Sequence, residues 1–223
     1  MKRSVIFILL SLLSLSLWSK PSFVCEQLIK DHNEFTPYVQ NNYFSESWAK
    51  KMCETHPVSD KGRIEYVYII NASEDVNIDN LLEATKEWIN TSSPQEITIT
   101  RVDKQEKSIE AKINLGMLAG KFGGIKLSLL FTDLYVKVSF KSNRVRFQVY
   151  GDRYNMFVLS DGSPKSSNTF IKDVFPITAN KNHEALYAKG FIRVNCNCNK
   201  LAYDYLTFLN KKWDGEGCHE EDW

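Results

Sequence analysis

Between Leu134 and Tyr150 the chain keeps a strict two-residue rhythm. Leu134, Val136, Val138 and Phe140 alternate with Tyr135, Lys137, Ser139 and Lys141. After Ser142-Asn143 the rhythm resumes, with Val145, Phe147 and Val149 set against Arg144, Arg146, Gln148 and Tyr150. A period of two belongs to the β-strand, whose successive side chains point to opposite faces. The short polar break reads as a hairpin turn. One face of this hairpin is apolar and has to be covered; the other is polar and can meet water. That restricts this part of the chain to an antiparallel sheet with one covered face, and the helices read in the flanking segments make the expected fold α+β.

The flanking segments supply the pieces. Arg63 to Asn71 is rich in β-branched and aromatic residues (Ile64, Tyr66, Val67, Tyr68, Ile69, Ile70) and reads as a strand buried on both faces. Asn77 is placed to cap a helix reaching about Thr91, with Ile78, Leu81, Leu82, Thr85, Trp88 and Ile89 at the spacing of one buried stripe. Glu96 to Val102 and Ser108 to Leu115 read as two strands joined by a polar turn. Residues 116–124, with their glycines, read as a flexible connection, and Ile125 to Lys141 with Arg144 to Leu159 as a long hairpin. Residues 160–180 read as loop. A last helix is expected from about Lys200 to Trp213, with Leu201, Tyr205, Leu206, Phe208, Leu209 and Trp213 on its apolar side.

The ends have different characters. Lys2 and Arg3 precede an apolar run from Val5 to Leu17, the pattern of an export signal occupying residues 1–19. That run is short for spanning a hydrocarbon core of about 30 Å. Residues 22–24 before Cys25 are Ser-Phe-Val, too bulky for a lipid-attachment box, so the chain is expected to be exported to a periplasm or cell envelope rather than held as a lipoprotein. Residues 20–60 read as a helical extension, with helices over Phe23 to Phe35 and, capped by Ser45, over Glu46 to Glu54. The main domain then covers 61–214, and 215–223 form an acidic Cys/His tail. No later segment is apolar enough for a transmembrane helix.

Three stretches carry a family resemblance. They are Leu81-Leu82-Glu83-Ala84-Thr85-Lys86-Glu87-Trp88-Ile89, Val102-Asp103-Lys104-Gln105-Glu106-Lys107-Ser108-Ile109, and the run from Val136 to Phe147 around Ser142-Asn143. Over about residues 61–160 the chain resembles a family of uncharacterised exported Bacteroidetes proteins with a TATA-binding-protein-like domain. Asn114-Leu115-Gly116 stands where that family has Gly-Lys-Gly, and residues 20–60 and the cysteine-rich end are additions. The resemblance implies a TATA-binding-protein-like antiparallel sheet with the order β-α-β-β-β-β-α, and an export route. It supplies no catalytic residues.

The chemistry reduces to two places. In an oxidising compartment Cys25, Cys53, Cys196, Cys198 and Cys218 are disulfide candidates, for example Cys25–Cys53 with Cys218 joined to Cys196 or Cys198. The alternative is a zinc site of Cys196, Cys198, Cys218 and His219, although a one-residue gap between the first two is tighter than usual zinc spacing. No nucleophile elbow, metalloprotease helix or phosphate loop occurs, and no cofactor is indicated. The second place is the polar sheet face, where parity puts Lys112, Lys137, Lys141, Arg144 and Arg146 among Tyr135 and Tyr150. Such a face suits an anionic glycan, a lipid head group or an envelope protein; a plain solvated face, or one covered by residues 20–60, is the alternative. The formal charge is +1, and loss of residues 1–19 leaves 26 basic residues against 27 acidic, which disfavours nucleic acid. The expected function is that of a non-enzymatic interaction or ligand-binding module; the alternative is an exported zinc-binding protein or enzyme using the C-terminal Cys/His cluster.

Overall fold

The computed structural model describes residues 20–40, 46–92, 96–123, 126–160, 162–176 and 184–214. The expected signal, the Ser45 cap and the acidic tail with Cys218 and His219 lie outside them. The elements in chain order are β1 (Phe23–Val24), α1 (Glu26–Gln40), α2 (Glu46–Thr55), β2 (Ile64–Ala72), α3 (Ile78–Glu87), β3 (Glu96–Asp103), β4 (Ser108–Gly123), β5 (Lys126–Lys141), β6 (Arg144–Gly151), β7 (Arg153–Ser160), β8 (Ser163–Phe170) and α4 (Glu184–Asp214). Between Ile64 and Asp214 this gives six strands after the first helix rather than the expected four.

All strand pairs are antiparallel, in the order β1-β2-β6-β5-β4-β3, with β7 on β5 and β8 on β7. The two long strands β4 and β5 form the spine. β5 pairs its C-terminal half, Tyr135–Lys141, with β6 and its N-terminal half, Leu127–Phe131, with β7. The expected single return strand is therefore split at Gly151-Asp152. A Cβ on Gly151 would sit 3.0 Å from Leu134 Cδ2, so the bend brings backbone against a core side chain. The glycine-bearing segment 116–123 is the continuation of β4, not a loose connection; it pairs with β5 past a bulge at which Asn114 Oδ1 accepts from the Gly116 N–H at 2.8 Å. Residues 163–170, expected as loop, form the edge strand β8. Its residues are mostly exposed and polar, and Pro164 and Lys165 discourage further strand pairing.

The hairpin rhythm sorts the faces as expected. Leu134, Val136, Val138 and Phe140 of β5 and Val145, Phe147 and Val149 of β6 are all buried. Against them pack Leu81, Leu82 and Trp88 at α3 and Phe191, Leu201, Tyr205 and Leu209 of α4. Trp88, Phe147 and Tyr205 meet as a ring cluster with centroids 5.0–6.0 Å apart. Asn77 caps α3 through Oδ1, which accepts from the Asp79 N–H at 2.8 Å; the last residues of that segment, Trp88–Ser92, form a π-helical turn.

α4 runs 31 residues, far longer than the expected Lys200–Trp213. Gly190 suits its approach to β5: a Cβ there would lie 2.5 Å from Leu130 Cδ2, so any side chain would require Leu130 to move. The asparagines that break its apolar pattern are satisfied: Asn195 Nδ2 donates to Phe191 O and Asn197 Nδ2 to Arg193 O, both at 2.7 Å.

β2 departs from expectation. Ile64, Tyr68 and Ile70 are buried, but Val67 and Ile69 are about two-fifths exposed. Only the two-residue β1 lies outside it, so β2 sits near the sheet edge with one face open.

The N-terminal extension is helical but begins with β1, and α1 carries Pro37 within its last turn. α1 and α2 pack beside α4 on the helix-covered side of the sheet, so that the polar face is left uncovered by the described residues. They are tied in by a buried polar network. Tyr68 Oη donates to Asp31 Oδ2 at 3.0 Å, and Asn199 Nδ2 donates to Tyr68 Oη at 3.3 Å. His32 Nδ1 lies 3.2 Å from Asn199 Oδ1, with its ring stacked 3.6 Å from Tyr203. Each member of this network has a partner, as the low dielectric demands.

Candidate binding face of the sheet

The open face is built from the residues out of phase with the core. Strand register arranges them in rows. One row crosses Glu65, Tyr150, Tyr135, Lys112 and Thr98; the next crosses Val67, Gln148, Lys137, Glu110 and Arg101. A third crosses Ile69, Arg146 and Ser139, and the last crosses Val24, Asn71, Arg144 and Lys141 at the hairpin turn. All seven residues expected on this face are therefore on it.

The middle of the face is neutralised pair by pair. Lys137 Nζ lies 2.9 Å from Glu110 Oε1, and Lys112 Nζ 3.0 Å from Asp133 Oδ2. The Asp133 carboxylate holds the Lys112 ammonium above its ordinary pKa. Arg63, which was not among the residues expected here, grips Glu65 through Nε at 3.1 Å and Nη2 at 2.5 Å, and Gln148 Nε2 donates to the same carboxylate. The Arg63 hydrogen bond holds the Glu65 carboxyl below its usual range. Fixed in this way, the Arg63 guanidinium lies 3.8 Å over the Tyr150 ring, and Tyr150 stacks on Tyr135 with centroids 5.3 Å apart. Arg63, Thr100, Glu110, Tyr135, Lys137 and Gln148 line a shallow depression of about 210 Å³. Arg63 shares the parity of Glu65 and Val67, which is the one signal in the sequence that could have found it.

The corner at the hairpin turn differs. Lys141, Arg144 and Arg146 are exposed, and among the described residues none of them joins an ion pair. Beside them stand the exposed aliphatics Val24, Val67 and Ile69. The adjoining loop is held to the turn by Val76 N–H donating to Ser142 O at 2.6 Å.

No disulfide joins the described cysteines: Cys25, Cys196 and Cys198 are buried thiols, and the Cys25–Cys53 bridge is not made. Cys196 and Cys198 share one helix two residues apart, a rotation of about 200°, so their sulfurs leave on different sides. A zinc site using both sulfurs is not assembled by this geometry. Burial pushes the Cys196 thiol up to about 12 and raises that of Cys198 as well, away from the thiolate needed for metal or nucleophilic chemistry. No cluster of three or more metal-ligating side chains occurs among the described residues.

Comparison with known proteins gives likenesses of shape. No family model matches the sequence, and no curated protein matches it. Among solved structures, a TBP-like protein from Parabacteroides distasonis aligns with a TM-score of 0.44 and 13% identity over 68% of this chain and 97% of its own. A DUF4468 family protein from Bacteroides ovatus aligns with a TM-score of 0.45 and 7% identity over 74% of this chain and 92% of its own. Among the described residues no helix is long and apolar enough to cross a membrane.

Proposed function

We propose that this chain is an exported, non-enzymatic envelope protein with a TATA-binding-protein-like domain. It acts as an interaction module, binding an anionic glycan or lipid head group on its open sheet face. The observation that carries this reading is the contrast within that face. Arg63, Arg101, Lys112 and Lys137 each hold a carboxylate, whereas Lys141, Arg144 and Arg146 hold none among the described residues. Cations left unpaired at one corner, with the phenols of Tyr135 and Tyr150 two and three rows away, offer anionic oxygens charge-assisted donors. The export pattern of residues 1–19 sets the compartment in which such a ligand is met.

The test is retention of the mature protein on an immobilised sulfated polysaccharide and on vesicles rich in anionic lipid. The K141E/R144E/R146E variant should lose retention on at least one of them while its thermal midpoint stays within a few degrees of wild type. Retention equal to wild type on both supports would remove the proposal.

A further inference from the structure

We infer that the opposite end of the same sheet face is a second contact surface, apolar in character, that inserts into an anionic lipid bilayer. It does not depend on what the cationic corner binds. The two places sit at opposite ends of β5, a strand of 16 residues and so about 50 Å long.

On the N-terminal side of Asp133 the open-face positions of β5 turn apolar. Phe131, Leu129 and Leu127 share the parity of Tyr135 and Lys137. Register extends them sideways. One row crosses Met117, Phe131 and Asn155, the next Gly120, Leu129 and Phe157, and the last Phe122, Leu127 and Leu159. Gly120 shows how closely they gather: a Cβ there would lie 3.2 Å from Leu129 Cδ2 and 3.6 Å from Met117 Sδ. None of these apolar side chains belongs to the main core or packs against it. Phe122 is 81% exposed and Met117 55%, more than any other large apolar residue described. Apolar surface gathered in this way marks a contact site.

Charge names the occupant. From Leu115 to Thr132 the sequence carries Lys121 and Lys126 and no acidic residue. The adjacent segment 153–170 adds Arg153 and Lys165 against Asp161. Arg153 is paired with Asp152, but Lys121, Lys126 and Lys165 are exposed and join no ion pair among the described residues. An apolar patch fringed by unpaired lysines matches a bilayer with anionic head groups: the apolar side chains enter the acyl boundary while the lysines reach the head-group phosphates. A second copy of the chain fits less well. Beyond Asn114, β4 has no strand on its β3 side among the described residues, yet a two-fold pairing of that edge would bring the Lys121 side chains of both copies close together. A glycan needs polar donors, and Asn155 is the one polar side chain in these rows.

The experiment is sedimentation of the mature protein with vesicles of phosphatidylcholine, alone or mixed with phosphatidylglycerol, alongside the tryptophan emission of Phe122→Trp. The expected result is partitioning onto the phosphatidylglycerol vesicles. F122W emission should shift to the blue and be quenched by brominated acyl chains beyond the change seen for wild type. M117S/F122S should partition at least about tenfold less, from the apolar burial lost, and K121E/K126E about thirtyfold less, from the two lysines lost near the surface. Both variants should keep their thermal midpoints within a few degrees of wild type and their retention on sulfated polysaccharide. M117S/F122S partitioning like wild type, or F122W emission unmoved by vesicles, overturns the inference; if K141E/R144E/R146E then abolishes partitioning, the corner reading stands alone. Retention of K141E/R144E/R146E on both supports, with F122W still quenched in that background, removes the corner reading and leaves this surface standing. A wild-type dimer that M117S/F122S converts to monomer, with no vesicle binding by either, assigns the patch to a second copy and also overturns the inference.

Discussion

Phe147 and Arg146 are neighbours on one strand and live in different solvents. Phe147 is fully buried between Trp88 and Tyr205, while Arg146 is exposed on the bare face with no ion-pair partner among the described residues. The two faces also treat polar groups differently. On the covered side Asp31, Tyr68 and Asn199 are linked into a buried network that fixes α1 and α4 to β2. On the open side each charge pair is surface-exposed to some degree and gains little from pairing. Stability is therefore concentrated on one face, and the other is free to carry charge for a different purpose.

That contrast can be broken by substitution, and the largest effects belong to the covered face. Phe147→Ala should cost about 3–5 kcal/mol, the range for emptying an aromatic site in a packed core. Urea unfolding of this variant and of Arg146→Ala reads the difference directly; the arginine variant should stay within about 0.5 kcal/mol of wild type. Gly190→Val should follow, at about 1–3 kcal/mol, because a Cβ would meet Leu130 at 2.5 Å and require it to move. A Gly190→Val protein as stable as wild type would mean that α4 does not make this approach.

Next in size is the network. Tyr68→Phe removes the donor to Asp31 and leaves a buried carboxylate short of a partner, at a cost of about 1–3 kcal/mol. Asp31→Asn combined with Tyr68→Phe should cost less than the sum of the two single changes, since the groups act as one unit. Additive losses would show that the contact contributes nothing.

The smallest effect is a pH dependence. His56 is partly buried against Phe35, with ring centroids 4.7 Å apart, and burial holds its pKa below the ordinary value despite the opposing pull of Glu34 and Asp31. The unfolded chain therefore takes up this proton first as pH falls. Stability tied to neutral His56 is intact above its unfolded pKa of about 6.5 and declines below it, by at most about 1.4 kcal/mol per pH unit. His56→Gln should flatten the profile between pH 7 and 5; an unchanged slope would assign it to other groups.

Parity alone makes the two faces legible in the sequence, because seven alternating apolar positions in one hairpin allow only one burial pattern. What was not legible required partners distant in sequence. Lys137 and Glu110 are 27 residues apart and meet only once β4 and β5 are in register, so the neutralised middle of the face could not be separated from its cationic corner. The strand Ser163–Phe170 carries no apolar alternation, since neither of its faces is buried. The first half of α4 hid behind Gly190 and three asparagines. Of these, Asn195 and Asn199 face the core to bond Tyr66 and Tyr68, and they read as breakers only while those partners are unknown. The apolar composition of β2 suggests burial on both faces, but only β1 lies outside this strand and Val67 and Ile69 line the open corner.

The central claim is that the bare face, at its cationic corner, is the contact surface. Backbone amide shifts of the isotope-labelled mature protein, titrated with a soluble sulfated oligosaccharide, test it most directly. The expected result is a perturbed set confined to the corner rows, from Val24 and Ile69 through Arg144 and Arg146 to Lys141, with little change in α3 or the middle of α4. Perturbations centred on the helices, or none at all with either the oligosaccharide or anionic lipid, would contradict it.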